Sequence, residues 1–403
     1  MERFAFQESA GPSVPRYSPP GVAHVNPSER TQRVPPSGIR RFFELAEEMD
    51  DVISLGVGEP DFTAPWSARE AAIDSLERGR TSYTANRGMA NLREAIAANV
   101  EERYALDYDP DEEVLVTAGA SEALDVAFRA LVDPGDRVAV AQPSYISYVP
   151  GVIFAGGEPL RVPTREEDAF KLTPEVLDEH GAGAADALVL CYPNNPTGAI
   201  MTREELAPIA AFAREHDLTV LSDEIYAELT YGSDHTSIAT LPGMRERTVV
   251  FNGFSKAYAM TGLRLGYALA PPETIRAMNR IHQYSILSAP TTAQYAALDA
   301  LEHGDSAVAE MRTQYNRRRR FVLSCFSEMG IDCFEAEGAF YVFPESPWSD
   351  AEAFAEALLD ETSVAVVPGD VFGSGGEGHL RVSYATGLDD LREAMARIEA
   401  FIE

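Results

Sequence analysis

Short apolar runs alternate with amphipathic helical patterns from about residue 111 onward. Apolar runs of this length predict buried strands, because a strand covered on both faces shows no polar alternation. The predicted strands are residues 114–117, 137–141, 187–191, 218–221, 248–251 and 264–270. Residues 121–132 and 202–217 carry apolar side chains on one helical face, and Thr202 with Glu205 forms a capping-box pattern. The alternation predicts an α/β fold in which helices cover both faces of a mostly parallel sheet.

The last third of the chain has a different pattern. A long helix is predicted at about 304–330, and shorter elements follow it. These are strands at 339–342, 364–367 and 379–385, and helices at 350–359 and 389–402. Ser288, Ala289 and Pro290 interrupt the pattern and predict a boundary there. We therefore expect a flexible N-terminal arm (1–34), a segment joining the small domain (35–54), a large domain (55–290) and a small α+β domain (291–403).

Composition narrows the possible classes of protein. No stretch of about 18 apolar residues occurs, so no membrane span is expected. The first 33 residues lack the apolar centre of a secretory signal. Cys191, Cys325 and Cys333 are odd in number and form no CxxC pair, so we expect neither a disulfide framework nor a metal site. This cysteine usage fits the reducing cytoplasm.

The chain is strongly acidic and contains few lysines. Its formal net charge of -31 opposes binding to nucleic acid or to anionic membranes. Lys171 and Lys256 are the two lysines in the sequence, and every other cationic side chain besides histidine is arginine. An acidic, lysine-poor chain resembles proteins of salt-accumulating halophiles, with an acidic mesophile protein as the alternative. Activity that requires molar salt would favour the first interpretation, and full activity at low salt would contradict it.

The scarcity of lysine draws attention to Lys256. It ends the segment NGFSK at 252–256, directly after a predicted buried strand, and Arg264 follows eight residues later. A lysine that is desolvated near other cations has a lowered pKa and can act as an amine nucleophile, whereas arginine stays protonated. The alternative is an ordinary surface lysine beside a turn, but this chain carries almost no lysines.

Three further loops follow predicted strands, where ligands bind in such sheets. In SDEIY at 222–226, Asp223 could pair with a protonated ring nitrogen and Tyr226 with a phenolic oxygen; alternatively, Asp223 is a helix N-cap. In AGAS at 118–121, small residues before a helix could admit an anion, although many strand–helix turns look alike. YPNNPTG at 192–198 presents two asparagine amides, or is a plain turn.

Arg381 lies in the strand-like segment HLRVSY at 379–384. Leu380 and Val382 alternate with it, so its side chain points away from the apolar face. A planar guanidinium there could bind a carboxylate through two parallel hydrogen bonds. The alternative is a salt bridge on an exposed strand face.

Taken together, these segments resemble the fold type I, class I/II aminotransferases from about residue 35 onward. The ordered set is specific, although each motif alone is weak. It comprises LGVGEPDF at 55–62, AGAS at 118–121, PNNPTG at 193–198, SDEIY at 222–226, the Lys256 segment, GAFY at 338–341, and Arg381. The resemblance implies a pyridoxal 5'-phosphate enzyme whose large domain holds a seven-stranded, mostly parallel sheet between helices. One departure is Gly253, where some members carry a hydroxyl near the phosphate.

The resemblance also implies roles for individual residues. Lys256 would hold the cofactor covalently and move the substrate proton. Asp223, Tyr226 and Tyr145 would contact the cofactor ring, at its nitrogen, its 3-oxygen and its face. The phosphate would be held by Ala120, Ser121, Ser255 and Arg264, and by Tyr83 of a neighbouring subunit, which implies a homodimer. The substrate carboxylate would be bound by Gly58, Asn195 and Arg381.

The implied reaction is a ping-pong transfer of an amino group to a 2-oxo acid, often 2-oxoglutarate. PPSGIR at 35–40 and the run 237–247 look like archaeal aromatic and aspartate aminotransferases, which favours an aromatic or aspartate-like L-amino acid donor. A β-elimination lyase shares the lysine and the aspartate and remains an alternative. A cofactor-binding transcription regulator is a remote one, because the N-terminal arm is too short and too weakly basic for a DNA-binding module.

Overall fold

A computed structural model describes residues 26–39, 49 and 51–403 of the protein. Its centre is a seven-stranded sheet in the order β2-β8-β7-β6-β5-β3-β4. The strands are β2 (Val114–Thr117), β3 (Arg137–Gln142), β4 (Glu158–Pro163), β5 (Ala187–Cys191), β6 (Thr219–Asp223), β7 (Thr248–Gly253) and β8 (Gly266–Leu269). β8 runs antiparallel to β2 and β7, and the other neighbouring strands are parallel. This arrangement confirms the predicted α/β fold with a mostly parallel sheet.

Helices pack on both faces of this sheet. They include α2 (Trp66–Glu77), α3 (Ala90–Tyr104), α4 (Ala120–Leu131), α5 (Tyr148–Ala155), α6 (Pro174–Glu179), α7 (Arg203–Glu215), α8 (Pro272–Ser285) and α9 (Thr291–His303), while α1 (Glu29–Gln32) precedes them. α7 begins as predicted: the Thr202 hydroxyl accepts from the Glu205 amide, and the Glu205 carboxylate accepts from the Thr202 amide. The predicted 202–217 helix therefore begins at its expected capping box.

A smaller unit follows the sheet. The helices α10 (Asp305–Glu328), α11 (Ala351–Thr362) and α12 (Leu388–Ile402) pack around the short strands β9 (Tyr341–Val342), β10 (Val364–Ala365), β11 (Val367–Pro368) and β12 (Leu380–Ser383). β9 and β11 flank β12 in an antiparallel sheet. β10 instead pairs in parallel with β1 (Ile53–Ser54). The predicted single strand at 364–367 is wrong, because its two halves pair with different partners.

The predicted end of the large domain at residue 290 falls between α8 and α9. α9 packs against α2 and α3, and its buried alanines share an apolar cluster with Val114 and Val116 of β2. The interruption at 288–290 is therefore a turn between α8, whose Ile275 and Met278 pack with Leu115 on one face of the sheet, and α9, which packs on the other face. The cluster around α9 continues to Val308 of α10. Most of the predicted flexible arm, residues 1–25, lies outside the described residues, as do residues 40–48 and 50 of the predicted joining segment.

Two elements differ from the sequence patterns for identifiable reasons. β4 contains Pro159 and Pro163 and shows no apolar run, but it lies at the edge of the sheet, where proline is tolerated. The predicted strand at 264–270 begins later, because Arg264 has a left-handed backbone (φ 53°) and cannot extend β8. No helix in the described ranges is long and apolar enough to span a membrane. Nor do those ranges contain a group of three or more His, Cys, Asp or Glu side chains that could hold a metal ion.

Candidate active site

A cavity of about 370 Å³ lies at the carboxyl ends of β5, β6 and β7 and beside the first turn of α4. The smaller unit closes it with Tyr341 of β9 and Arg381 of β12. All the predicted site residues except Tyr83 line it. They are Gly58, Ala120, Ser121, Tyr145, Asn195, Asp223, Tyr226, Ser255, Lys256, Arg264 and Arg381. Loops that are far apart in the sequence thus meet at one edge of the sheet.

The Lys256 side chain extends into this cavity. Its Nζ donates a hydrogen bond to the Gly58 carbonyl at 2.6 Å. Burial, helped by the positive charges of Arg381 and Arg264, lowers the pKa of Lys256 to about 8 against the opposing effect of Glu59. A substantial fraction of this amine is therefore uncharged at neutral to slightly alkaline pH and is available as a nucleophile.

Asp223 ends β6 with a buried carboxylate. Its Oδ2 accepts from the Tyr148 hydroxyl at 2.7 Å, and its Oδ1 accepts from the Ile225 amide at 3.2 Å. Burial raises the pKa of Asp223 to about 6, although the hydrogen bond from Tyr148 opposes that rise. A carboxylate held in this way can pair with a cationic group in the cavity. The alternative role as a helix N-cap does not apply, since β6 is followed by a turn.

Tyr148 was not identified from the sequence. It is 1% exposed at the start of α5, and its ring lies edge-on to Tyr145 at 5.6 Å between centroids. Its only sequence signal is its position three residues after Tyr145, which a helical turn would bring close. The structure thus adds a hydrogen-bond donor behind the carboxylate of Asp223.

Replacing Tyr148 by phenylalanine should raise the Asp223 pKa above its value of about 6, because the bond that favours the charged form is lost. As the solution is acidified, the Asp223 carboxylate would then become protonated at a higher pH than in the wild type. The acidic limb of the kcat/KM profile should therefore move upward by about one pH unit, in line with the energy of a hydrogen bond to a charged group.

Tyr192→Phe is the matched control, because the buried Tyr192 hydroxyl contacts backbone groups of Leu172 and Phe170 rather than Asp223. An acidic limb that stays in place in Y148F, or that moves equally in Y192F, would contradict the assigned contact.

Arg381 is buried beside Asn195. Its guanidinium donates to Asn195 Oδ1 at 2.9 Å and to the Gly56 carbonyl at 2.5 Å. The guanidinium carbon also lies over the rings of Tyr341 and Phe372, at 4.6 and 4.7 Å from their centroids. Its Nε finds no hydrogen-bond acceptor among the described residues. A buried cation with an unused donor beside a cavity is suited to an anionic ligand group.

Glycines surround the first turn of α4, so its backbone is not covered by side chains from these positions; Gly119, Gly253 and Gly266 are called the glycine cradle below. Gly119 caps the helix with a positive φ of 82°, and a side chain there would meet the Arg264 guanidinium at 2.7 Å. A Cβ on Gly266 would lie 2.4 Å from the Ala120 nitrogen. Gly253 opposes Gly266 across β7 and β8, and a Cβ on Gly253 would lie 2.9 Å from the Gly266 Cα. The absence of a hydroxyl-bearing residue at 253 therefore follows from close strand packing behind the cradle.

The hydroxyls of Tyr226 and Tyr341 lie 3.0 Å apart at the cavity wall. Burial raises the pKa of Tyr226 well above its usual value, so this phenol stays protonated and can donate a hydrogen bond. Gly58 is needed beside this pair, because a Cβ there would lie 2.1 Å from the Tyr341 hydroxyl. Tyr341 belongs to the GAFY segment at 338–341, but its place in the cavity was not predicted.

Tyr83 does not line the cavity of its own chain. Its side chain is 79% exposed, near the end of α2, whose Trp66, Ile73 and Leu76 are also exposed. Tyr284, near the end of α8, is 85% exposed. The predicted contact between Tyr83 and a neighbouring subunit's phosphate is therefore compatible with its position but involves a second chain.

The cavity residues fit pyridoxal phosphate. Gly119 and Gly266 bring Arg264 and the first turn of α4 together without an intervening side chain, and Ala120, Ser121 and Arg264 line the cavity where a phosphate would be held. Asp223 offers an anion to a ring nitrogen, Lys256 offers an amine of lowered pKa to an aldehyde, and Arg381 has an unused donor. The three groups line the same cavity, as a ring cofactor that joins all of them requires.

Comparisons with known proteins agree with this cavity. The family model "Aminotransferase class I and II" matches residues 50–398. The chain is 42% identical to aromatic-amino-acid aminotransferase 2 of Thermococcus litoralis, over 93% of this chain and 98% of that protein. It is 44% identical to an aspartate aminotransferase of Pyrococcus abyssi, over 92% and 97%.

Solved structures give the same result. Aspartate aminotransferase from Thermus thermophilus with maleate superposes with a TM-score of 0.89 at 39% identity, covering 94% of this chain and 100% of that one. The family match spans both the sheet and the smaller unit, and it includes all the predicted site residues that line the cavity. The chain belongs to the class I and II aminotransferases and is a pyridoxal-phosphate-dependent transaminase.

Proposed function

We propose that this enzyme transfers the amino group of an aromatic or aspartate-like L-amino acid to 2-oxoglutarate by a ping-pong mechanism. The observation that carries the proposal is the presence of Lys256 and the buried Arg381 in one cavity. Arg381 can hold a substrate carboxylate while the amine of Lys256 acts beside it. The names of the Thermococcus and Pyrococcus relatives support the aromatic or aspartate-like donor.

Each cavity residue has a defined task in this proposal. When bound, pyridoxal phosphate supplies the electron-accepting ring. Lys256 would hold it covalently, and the Lys256 Nζ would serve as the general base that accepts and returns the substrate proton. Asp223 keeps a proton on the ring nitrogen, Tyr226 donates to the 3-oxygen, and Tyr145 packs against the ring face. The phosphate is held by Ala120, Ser121, Ser255 and Arg264, and the substrate carboxylate by Gly58, Asn195 and Arg381.

The working unit in this proposal is a homodimer. Tyr83, Trp66, Ile73 and Tyr284 are large apolar or aromatic side chains that are exposed in the single chain, as side chains covered by a partner subunit would be. In the dimer, Tyr83 reaches the phosphate bound by the partner. Light scattering of the purified protein should give twice the mass of 43.9 kDa.

The experiment that tests the proposed function is a pair of half-reactions on the purified holoenzyme. Candidate amino acids are added one at a time, and the released 2-oxo acid is quantified against enzyme. 2-Oxoglutarate is then added and the newly formed glutamate is measured. One oxo acid and one glutamate per site, with parallel lines in double-reciprocal plots, support the proposal. Release of ammonia and pyruvate would support a β-elimination lyase instead.

Replacing Arg381 by glutamine should lower kcat/KM for α-amino acids by about 10²–10³-fold, the range for truncating a buried, hydrogen-bonded charge contact. The half-reaction with a primary amine that lacks the carboxylate should change little, because such an amine makes no contact with Arg381.

Arg318→Gln is a matched control, because Arg318 forms its two-bond pair with Asp61 rather than with a cavity residue. Equal losses with the amino acid and the simple amine would show that Arg381 supports the cavity instead of binding carboxylate.

A further inference from the structure

His282 is a fully buried histidine outside the cavity, on α8. Its Nδ1 lies 2.7 Å from Oε1 of Glu122, and its Nε2 lies 2.9 Å from the carbonyl oxygen of Asn86. Oε2 of Glu122 accepts from the backbone N–H of Ala118 at 2.5 Å. The Asn86 side chain continues the chain of bonds by donating to the Leu287 carbonyl at 2.7 Å. Nothing in the proposed mechanism uses these contacts.

These contacts place a hydrogen-bond acceptor beside each ring nitrogen of His282. The Asn86 carbonyl can only accept, so Nε2 of His282 carries a hydrogen. Nδ1 faces a carboxylate oxygen at hydrogen-bond distance, so a second proton must lie between Nδ1 and Oε1. The other carboxylate oxygen already accepts from the backbone. With hydrogens at both ring nitrogens, His282 is the cation that balances the carboxylate of Glu122, and the pair has no net charge.

Glu122 lies beside the proposed phosphate site, so its charge affects how that site binds an anion. Glu122 lies in the first turn of α4, next to Ala120 and Ser121, which line the cavity. A helix N-terminus attracts one anion through its free N–H groups and its dipole. If Glu122 carried an uncompensated charge, it would compete with the cofactor's phosphate for the same positive end.

We propose that His282 is a positioning residue for the cofactor's phosphate, because it cancels the charge of Glu122 at the N-terminus of α4. This inference rests on the proposed phosphate site at Ala120, Ser121 and Arg264. The same imidazole fixes the Asn86 carbonyl, three residues after Tyr83. It therefore links the glycine cradle of one chain to the segment that reaches the partner's phosphate.

The test compares cofactors with and without phosphate. Dissociation constants for pyridoxal phosphate and pyridoxal are measured on the full chain after cofactor removal, for the wild type, His282→Asn, Glu122→Gln and the double variant. Asparagine can still donate to Glu122 but adds no charge. Glutamine at 122 can accept from Ala118 and donate to a neutral His282, so it keeps every hydrogen bond.

In H282N, binding of pyridoxal phosphate should weaken at least about tenfold more than binding of pyridoxal, the scale of a charge-assisted hydrogen bond. In E122Q, the dissociation constants of both ligands should stay within about threefold of the wild-type values, because every hydrogen bond is kept. The double variant, which has no carboxylate, should recover the wild-type preference for the phosphorylated ligand. His282→Gln, whose longer amide reaches towards Asn86, replaces H282N if that variant does not fold.

Equal weakening of both ligands in H282N, or a loss in E122Q as large as in H282N, would overturn the proposal. Arg264→Gln separates this failure from failure of the proposed phosphate site. If R264Q weakens pyridoxal phosphate selectively and H282N does not, only the role of His282 is wrong. If R264Q shows no such selectivity, the phosphate lies elsewhere and both assignments fail.

Discussion

Replacing Lys256 by alanine should lower the rate of the amino-acid half-reaction by at least about 10⁴-fold. The variant loses both the covalent attachment of the cofactor and a proton-transfer group, and general acid–base catalysis alone contributes about 10²–10⁴-fold. The cavity contains no second lysine that could substitute, because the sequence has only Lys171 besides Lys256. Single-turnover release of 2-oxo acid measures the loss, and borohydride reduction followed by peptide mapping locates the attached cofactor.

Two variants serve as controls for this result. Lys256→Arg keeps a cation but cannot attach to an aldehyde at neutral pH, so it should be as inactive as the alanine variant. Lys171→Ala removes a lysine whose Nζ pairs with Glu205 at 2.6 Å, remote from the cavity, and should retain activity. A pyridoxyl adduct on Lys171, or substantial turnover by K256R, would refute the assignment of Lys256.

Replacing Asp223 by alanine should lower the same half-reaction by about 10²–10³-fold, the usual cost of losing one preorganised electrostatic group. The carboxylate at the end of β6 is 4% exposed, so no solvent ion can replace it easily. Without it, the ring nitrogen loses its proton and the ring accepts electrons less readily. Stopped-flow rates for the half-reaction measure the effect.

A cofactor that is methylated at the ring nitrogen carries its positive charge without a carboxylate partner. It should therefore recover part of the activity lost in D223A and none of the activity lost in K256A. If D223A reacts at the wild-type rate with unmodified cofactor, Asp223 does not control the ring charge. Failure of the methylated cofactor to help would assign Asp223 a structural role instead.

The sequence was sufficient to predict that the central residues line one cavity, because they lie at or just after the ends of strands. In a parallel sheet the carboxyl ends of neighbouring strands share one edge, so Asn195 after β5, Asp223 at the end of β6 and Lys256 after β7 had to converge. Arg381 reaches the same cavity from β12 of the smaller unit. Its inclusion depended on the family resemblance, since strand alternation alone favours a salt bridge on an exposed strand face.

The supporting contacts could not be predicted in this way. Tyr148 and Tyr341 are aromatic residues at element starts, where a buried hydroxyl has no sequence signal that distinguishes it from ordinary core packing. The pairing of Gly253 with Gly266 depends on the register of two antiparallel strands, which periodicity does not specify. The predicted boundary at 290 depends on a similarly ambiguous signal, because a Pro-containing turn has the same sequence pattern whether it joins two helices of one domain or two domains.

The two lysines have a practical consequence for protein chemistry. One side-chain amine is held in an ion pair with Glu205, and the other lies in the cavity with a pKa of about 8. Acylating reagents need an uncharged amine, so with the cofactor removed they should react at residue 256 in preference to residue 171. Acylation of residue 256 by a mild reagent would then report whether the cofactor fills the cavity. The rest of the chain offers such a reagent few competing lysines.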